Sequence, residues 1–127
     1  MLTLRSILCA LLLLSVAPAA LAHARVLRSS PAKGELLPQP PRQIDLWFNE
    51  LLDEGFNAIE IFAASEVAAP KRVNLAGEKP SVDPRDRTHL SLKIAPLPPG
   101  EYVVEWRVLS RDGHSAPGRF TFRITGR

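Results

Sequence analysis

Short runs in which every second residue is apolar, each closed by proline or glycine, set the terms on which this chain folds. Residues 43–50 place Ile44, Leu46 and Phe48 on one side and Asp45, Trp47 and Asn49 on the other. Residues 88–94 set Leu90, Leu92 and Ile94 against His89, Ser91 and Lys93, residues 101–109 align Tyr102, Val104, Trp106 and Val108, and residues 118–125 set Phe120, Phe122 and Ile124 against Arg119, Thr121 and Arg123. Residues 57–62 and 71–75 read as further short strands. A period of two is that of a half-buried strand, and no stretch sustains the spacing of a helix. Strands with one apolar and one polar face, spaced by turns over about 100 residues, pack as two antiparallel sheets, so the expectation is an all-β Greek-key sandwich or barrel of about seven strands, immunoglobulin-like in layout. Phe48 and Trp106 belong to its core on this pattern, and His89 to its surface.

The first 22 residues follow another logic. Arg5 gives a positive start, residues 7–16 an apolar core broken only by Ser15, Pro18 a break, and Ala20-Leu21-Ala22 the small-x-small pattern that signal peptidase reads. Residues 1–22 are therefore expected to be a cleavable secretory signal peptide, cut between Ala22 and His23. A membrane anchor is the competing reading, but a spanning helix needs about 20 apolar residues and this run is shorter. Cys9 precedes most of the apolar core, which is the wrong place for a lipid attachment.

Cleavage leaves a single domain, residues 23–127, large enough for a small hydrophobic core. The formal charge falls from +3 only by the loss of Arg5, and the remaining basic residues are scattered, which argues against nucleic acid as a partner. Cys9 and Met1 are the only cysteine and methionine. The mature chain thus has no disulfide, no thiolate site, no blue-copper cysteine and no thioether site for Cu(I).

What cleavage adds is a histidine with a free α-amine. The amine and the His23 imidazole form a six-membered chelate, and an α-amine with a reference pKa of about 7.7 to 8.0 yields its proton to a divalent cation near neutral pH. A second chemical signal is Asp112-Gly113-His114, where a spacing of two in extended backbone turns a carboxylate and an imidazole to the same side. Taken alone it also fits a hairpin turn with a surface histidine. Combined with His23, it offers three nitrogens and an oxygen, a set that suits tetragonal Cu(II) better than the tetrahedral, often cysteine-bound, structural sites of zinc.

These residues resemble the CopC-type periplasmic copper-binding proteins. The resemblance runs along the mature chain: His23-Ala24, Ser30-Pro31-Ala32-Lys33-Gly34, Leu46-Trp47-Phe48-Asn49-Glu50, residues 100–110, and Asp112-Gly113-His114 with Gly118, Phe120 and Phe122 beyond. The string Y-x-V-x-W-R-x-x-S-x-D-G-H is its most specific part. The resemblance implies a Greek-key fold related in shape to cupredoxins, holding one Cu(II) per chain through His23, Asp112 and His114. Glu50 matches an acidic residue near the site in some members, although a solvated strand-end carboxylate is the simpler reading. It further implies a non-enzymatic, monomeric, periplasmic protein of copper homeostasis or resistance, with an inner-membrane CopD-like protein as partner. Two departures stand out: the methionine-rich loop of some members is absent, which implies Cu(II) only, and Ser115 replaces the usual proline after the Asp-Gly-His. Two other classes share parts of the pattern, a histidine-brace copper monooxygenase acting on polysaccharides and a metal-free β-sandwich interaction module. The first is generally longer, with a flat aromatic surface that this chain lacks.

Overall fold

The computed structural model describes residues 23–126; the expected signal peptide, residues 1–22, lies outside the described residues. Eight strands form: β1 (Val26–Ser30), β2 (Leu36–Leu37), β3 (Gln43–Phe48), β4 (Ala58–Ala63), β5 (Ser81–Asp83), β6 (Asp86–Lys93), β7 (Gly100–Leu109) and β8 (Ser115–Ile124), with one 3-10 turn at Ala64–Glu66. They make two four-stranded sheets, ordered β1-β3-β6-β5 and β2-β8-β7-β4. All pairings are antiparallel except β2 with β8. Only β5–β6 and β7–β8 are successive strands paired within one sheet; every other connection crosses between sheets, which makes a sandwich of the expected all-β class.

The alternation seen in the sequence is the alternation of burial. Ile44, Leu46, Phe48, Leu90 and Leu92 of the first sheet meet Ile59, Ile61, Val104, Val108, Phe120, Phe122 and Ile124 of the second in one core cluster. Burying such side chains is the main favourable term in folding, at roughly 1.5–3 kcal/mol each. Phe48 is deep in this core, whereas Trp106 is partly buried at its margin, packed edge-on to Phe48 and tilted against Phe120. Its indole lies over Gly118, directly opposite on β8, where a side chain would collide with it.

Three short strands escape the period-two reading. In β1, β2 and β5 the apolar residues are too few to alternate, and pairing with longer neighbours holds them. Residues 71–75, expected as a strand, are irregular instead. They line the edge of β4 through a side chain, since Asn74 Oδ1 accepts the Ile61 N–H at 3.1 Å, and Leu75 N–H donates to the Ile61 carbonyl at 2.7 Å. Arg72 then lies 4.3 Å over the ring of Phe62. An Asn amide doing the work of a backbone carbonyl caps this edge without adding a strand.

His89 is not the simple surface residue that its place on a polar face suggests. Arg28, Trp47 and His89 occupy successive rungs across β1, β3 and β6. The Arg28 guanidinium lies 4.0 Å over the Trp47 ring and the His89 imidazole stacks on it, leaving the histidine side chain 16% exposed. Its Nε2 is 2.7 Å from Asp45 Oδ1 and its Nδ1 3.4 Å from Asp83 Oδ2. The outer face of a sheet can thus bury a polar residue where an aromatic neighbour gives it a wall.

Candidate metal centre

One end of the sandwich is closed by two loops and the arm that precedes β1. The loop between β3 and β4 is sewn to the end of β7: Leu52 bridges Ser110, Asp53 N–H donates to the Leu109 carbonyl at 2.8 Å, Arg111 N–H to the Leu51 carbonyl at 3.0 Å, and Leu109 N–H to Asn57 Oδ1 at 3.0 Å. These bonds hold the β7–β8 connection, residues 110–114, from outside.

Inside, the same connection is organised around Ser110, a polar side chain only 2% exposed. Its backbone N–H reaches the His114 carbonyl at 3.0 Å and its own carbonyl accepts from Gly113 N–H at 2.9 Å. With the His114 carbonyl already served by that N–H, the single hydroxyl proton goes to Asp112 Oδ1 in a short hydrogen bond. Asp112 Oδ1 also accepts the His114 N–H at 3.1 Å. Gly113 turns the chain with a φ of +91°, a conformation that side chains disfavour. Asp112 and His114 therefore share a side because of a tight turn, not because the backbone is extended as the spacing suggested.

The outcome is a prepared imidazole. His114 Nδ1 stands 3.1 Å from Asp112 Oδ2, a contact that keeps the proton on Nδ1 and leaves the Nε2 lone pair for a metal. The Asp112 carboxyl is held at about 2, first by the Ser110 hydroxyl and then by the His114 N–H groups, so it is ionised at any physiological pH. Both side chains remain open to solvent, His114 at 64%.

His23 comes to the same end on the arm that precedes β1. Its ring lies 6.1 Å from that of His114, centroid to centroid, at 74°. With a metal–nitrogen bond of about 2.0 Å, two imidazoles on one ion have centroids between about 4.5 Å when adjacent and about 6.4 Å when opposite, so this separation admits both rings on one ion. Among the described residues no three His, Cys, Asp or Glu side chains are already drawn together as a metal group. The third nitrogen on offer is the His23 α-amine, which exists only in a chain that begins there. Of the four residues singled out in the sequence, His114 contacts Asp112 and faces His23, but the three are not gathered into one cluster. Glu50, half-buried just beyond β3, makes no hydrogen bond or ion pair with the other three. Ser110 was missed as a contributor, although it lies in the Ser-x-Asp-Gly-His string; a buried serine two residues before a carboxylate is the signal that was there to read.

Comparison with known proteins agrees with this fold. The CopC domain family model matches residues 26–125. Protein YobA of Escherichia coli K12 is 32% identical over 126 residues, covering 96% of this chain and 97% of its own. Copper resistance protein C of Escherichia coli is 30% identical, covering 94% of this chain and 95% of its own. The crystal structure of CopC from Methylosinus trichosporium OB3b superposes with a TM-score of 0.71 at 25% identity, over 81% of this chain and 94% of that one.

Proposed function

Because the chain belongs to the CopC family, we propose that it binds copper and serves copper resistance and homeostasis, capturing one Cu(II) per chain at the end of the sandwich where His23 faces His114. The observation that carries this reading is the meeting of a histidine placed directly after an Ala-x-Ala cleavage pattern with an imidazole whose Nε2 is already free. The donors are the α-amine and imidazole of His23 and the Nε2 of His114, with an oxygen of Asp112 joining them when its carboxylate turns from His114 Nδ1 to the ion. Nitrogen donors with one carboxylate and no sulfur suit Cu(II) over Cu(I), and the absence of mature cysteine and methionine removes the soft alternative. Glu50 stays outside the donor set.

The protein acts after export to the periplasm as a carrier or buffer that lowers free Cu(II) or passes it to an inner-membrane CopD-like partner. Exposure supports this role: His114 and Asp112 lie at a rim rather than at the bottom of a cleft, where a receiving site can approach the ion directly. Binding rather than catalysis is the proposed activity, because an Asp112 donor occupies a position that oxygen chemistry at a histidine brace keeps open.

The test uses protein processed to begin at His23, titrated with Cu(II) and followed by electron paramagnetic resonance. One equivalent should give one type-2 spectrum. Binding unaffected by His23→Ala, or by the addition of one residue before His23, would overturn the proposal.

A further inference from the structure

His23 stands outside every strand, so something other than a ladder must hold it opposite His114. Residues 23–25 precede β1, and the register of that strand slips between Val26 and Arg28, a bulge of the kind that re-aims side chains beside functional sites. Two anchors hold this arm. Ala24 is 6% exposed and belongs to the core cluster, which seats the arm by a single methyl group. The other anchor is Asn49, the residue after β3. Its backbone N–H donates to the Arg25 carbonyl at 3.1 Å, and its side-chain Oδ1 accepts the Arg25 N–H at 2.8 Å.

The chemistry of that pair is specific. Two facing residues of an antiparallel ladder exchange two backbone hydrogen bonds. Here one residue keeps the donor half of the exchange in its backbone and supplies the acceptor half from its side chain. The Asn49 carbonyl is thereby released from the ladder, and the chain can leave β3 for the loop that Leu52 and Asp53 tie to the β7–β8 connection. One side chain thus lets the same strand end hold the His23 arm and feed the loop that supports His114. Neither a hydrophobic residue nor alanine at position 49 could do both.

We propose that Asn49 is a positioning residue for the metal centre: by gripping both polar groups of Arg25 it places His23 before the ion arrives. The proposal rests on the copper reading for its consequence, but its structural content is independent of copper. Side chains that orient a ligand from outside the donor set are generally worth about 10- to 100-fold in metal affinity. A single exposed hydrogen bond belongs at the lower end of that range. Asn49 is itself exposed, so its replacement leaves the core intact.

The experiment compares wild-type protein beginning at His23 with Asn49→Ala, Asn49→Asp, His23→Ala and the Asn49→Ala/His23→Ala double variant. Cu(II) affinity is measured by chelator competition, and the metal-free arm is followed by NMR through the contact between the His23 and His114 rings and the relaxation of the Arg25 amide. Asn49→Ala should lose about tenfold in affinity, broaden the copper spectrum and loosen the arm. Asn49→Asp, which keeps an acceptor oxygen, should restore all three. In the His23→Ala background Asn49→Ala should cost nothing further, because it acts through that histidine. An arm equally ordered in Asn49→Ala, or a loss of the same size with and without His23, overturns the proposal. Failure of the wild-type protein to bind copper would overturn the copper reading instead and leave the NMR comparison to decide on Asn49.

Discussion

The imidazole of His89 lies flat against the indole of Trp47, with ring centroids 4.4 Å apart and planes within 10°. This pair sits on the outer face of the first sheet, with Arg28 on the far side of the indole and Asp45 and Asp83 at the two ring nitrogens. Both nitrogens of His89 are thus engaged. His89→Ala should leave copper stoichiometry and affinity unchanged while lowering the melting temperature by several degrees, about 1 kcal/mol for the lost stack and hydrogen bond. Melting curves with and without copper check both halves. A change in the copper spectrum would mean that His89 had been assigned to the wrong part of the molecule.

Ser110→Ala should weaken Cu(II) binding by about 10- to 100-fold while leaving the donor atoms in place, because the hydroxyl orients Asp112 and, through it, His114. Chelator competition measures this loss. Ser110→Thr, which retains the hydroxyl, should recover part of it.

The same hydroxyl governs the acid behaviour of the site. With its folded pKa at about 2, below the ordinary 3.8, Asp112 favours the folded state at pH above 3.8 and loses that contribution as pH falls towards 2. Carboxyl-detected NMR should therefore show Asp112 titrating near 2 in the metal-free protein. In Ser110→Ala the inflection should move up towards 3.8, and an unmoved inflection would remove Ser110 as the main cause.

Gly118→Ala tests the margin of the core. The new methyl group would overlap the Trp106 indole, which must then tilt away from Phe48 and Phe120. Overpacking of this kind costs about 1–3 kcal/mol. Chemical denaturation should show that loss, and Trp106 fluorescence should shift. Gly118→Ala combined with a smaller residue at 106 should recover part of the stability.

Copper itself should stabilise the protein. At free Cu(II) 1,000 times the Kd the gain is about 4 kcal/mol, read as a rise in melting temperature that a strong chelator reverses. His114→Ala should abolish the rise while leaving the metal-free melting temperature near that of wild type, since the side chain is largely exposed.

How much of this was legible in the sequence depends on periodicity and on distance along the chain. The long strands were readable because Leu46, Leu92, Val104 and Phe122 repeat at the strand period and are all buried. The β1, β2 and β5 strands were not, because their existence rests on what they pair with rather than on their own residues. The histidines of the site were readable one at a time, through a cleavage pattern and an Asp-x-His spacing. Their mutual placement was not, since it comes from the Arg25 clasp, the Ser110 turn and the bonds that join loop 49–57 to Leu109 and Arg111. His89 shows the complementary limit: a polar-face position predicts exposure until an indole on the next strand covers it.

The 6.1 Å between His23 and His114 joins the start of the domain to a turn near its end. An ion bound by both would close most of the chain into a ring, and it would do so in a protein whose only cysteine lies within the expected signal peptide, residues 1–22. Coordination then takes the place of the missing disulfide, with the difference that a competing ligand can undo it. Pulled from its two ends, the loaded protein should yield at higher force than the empty one, so that the cargo serves as the fastener of its own container.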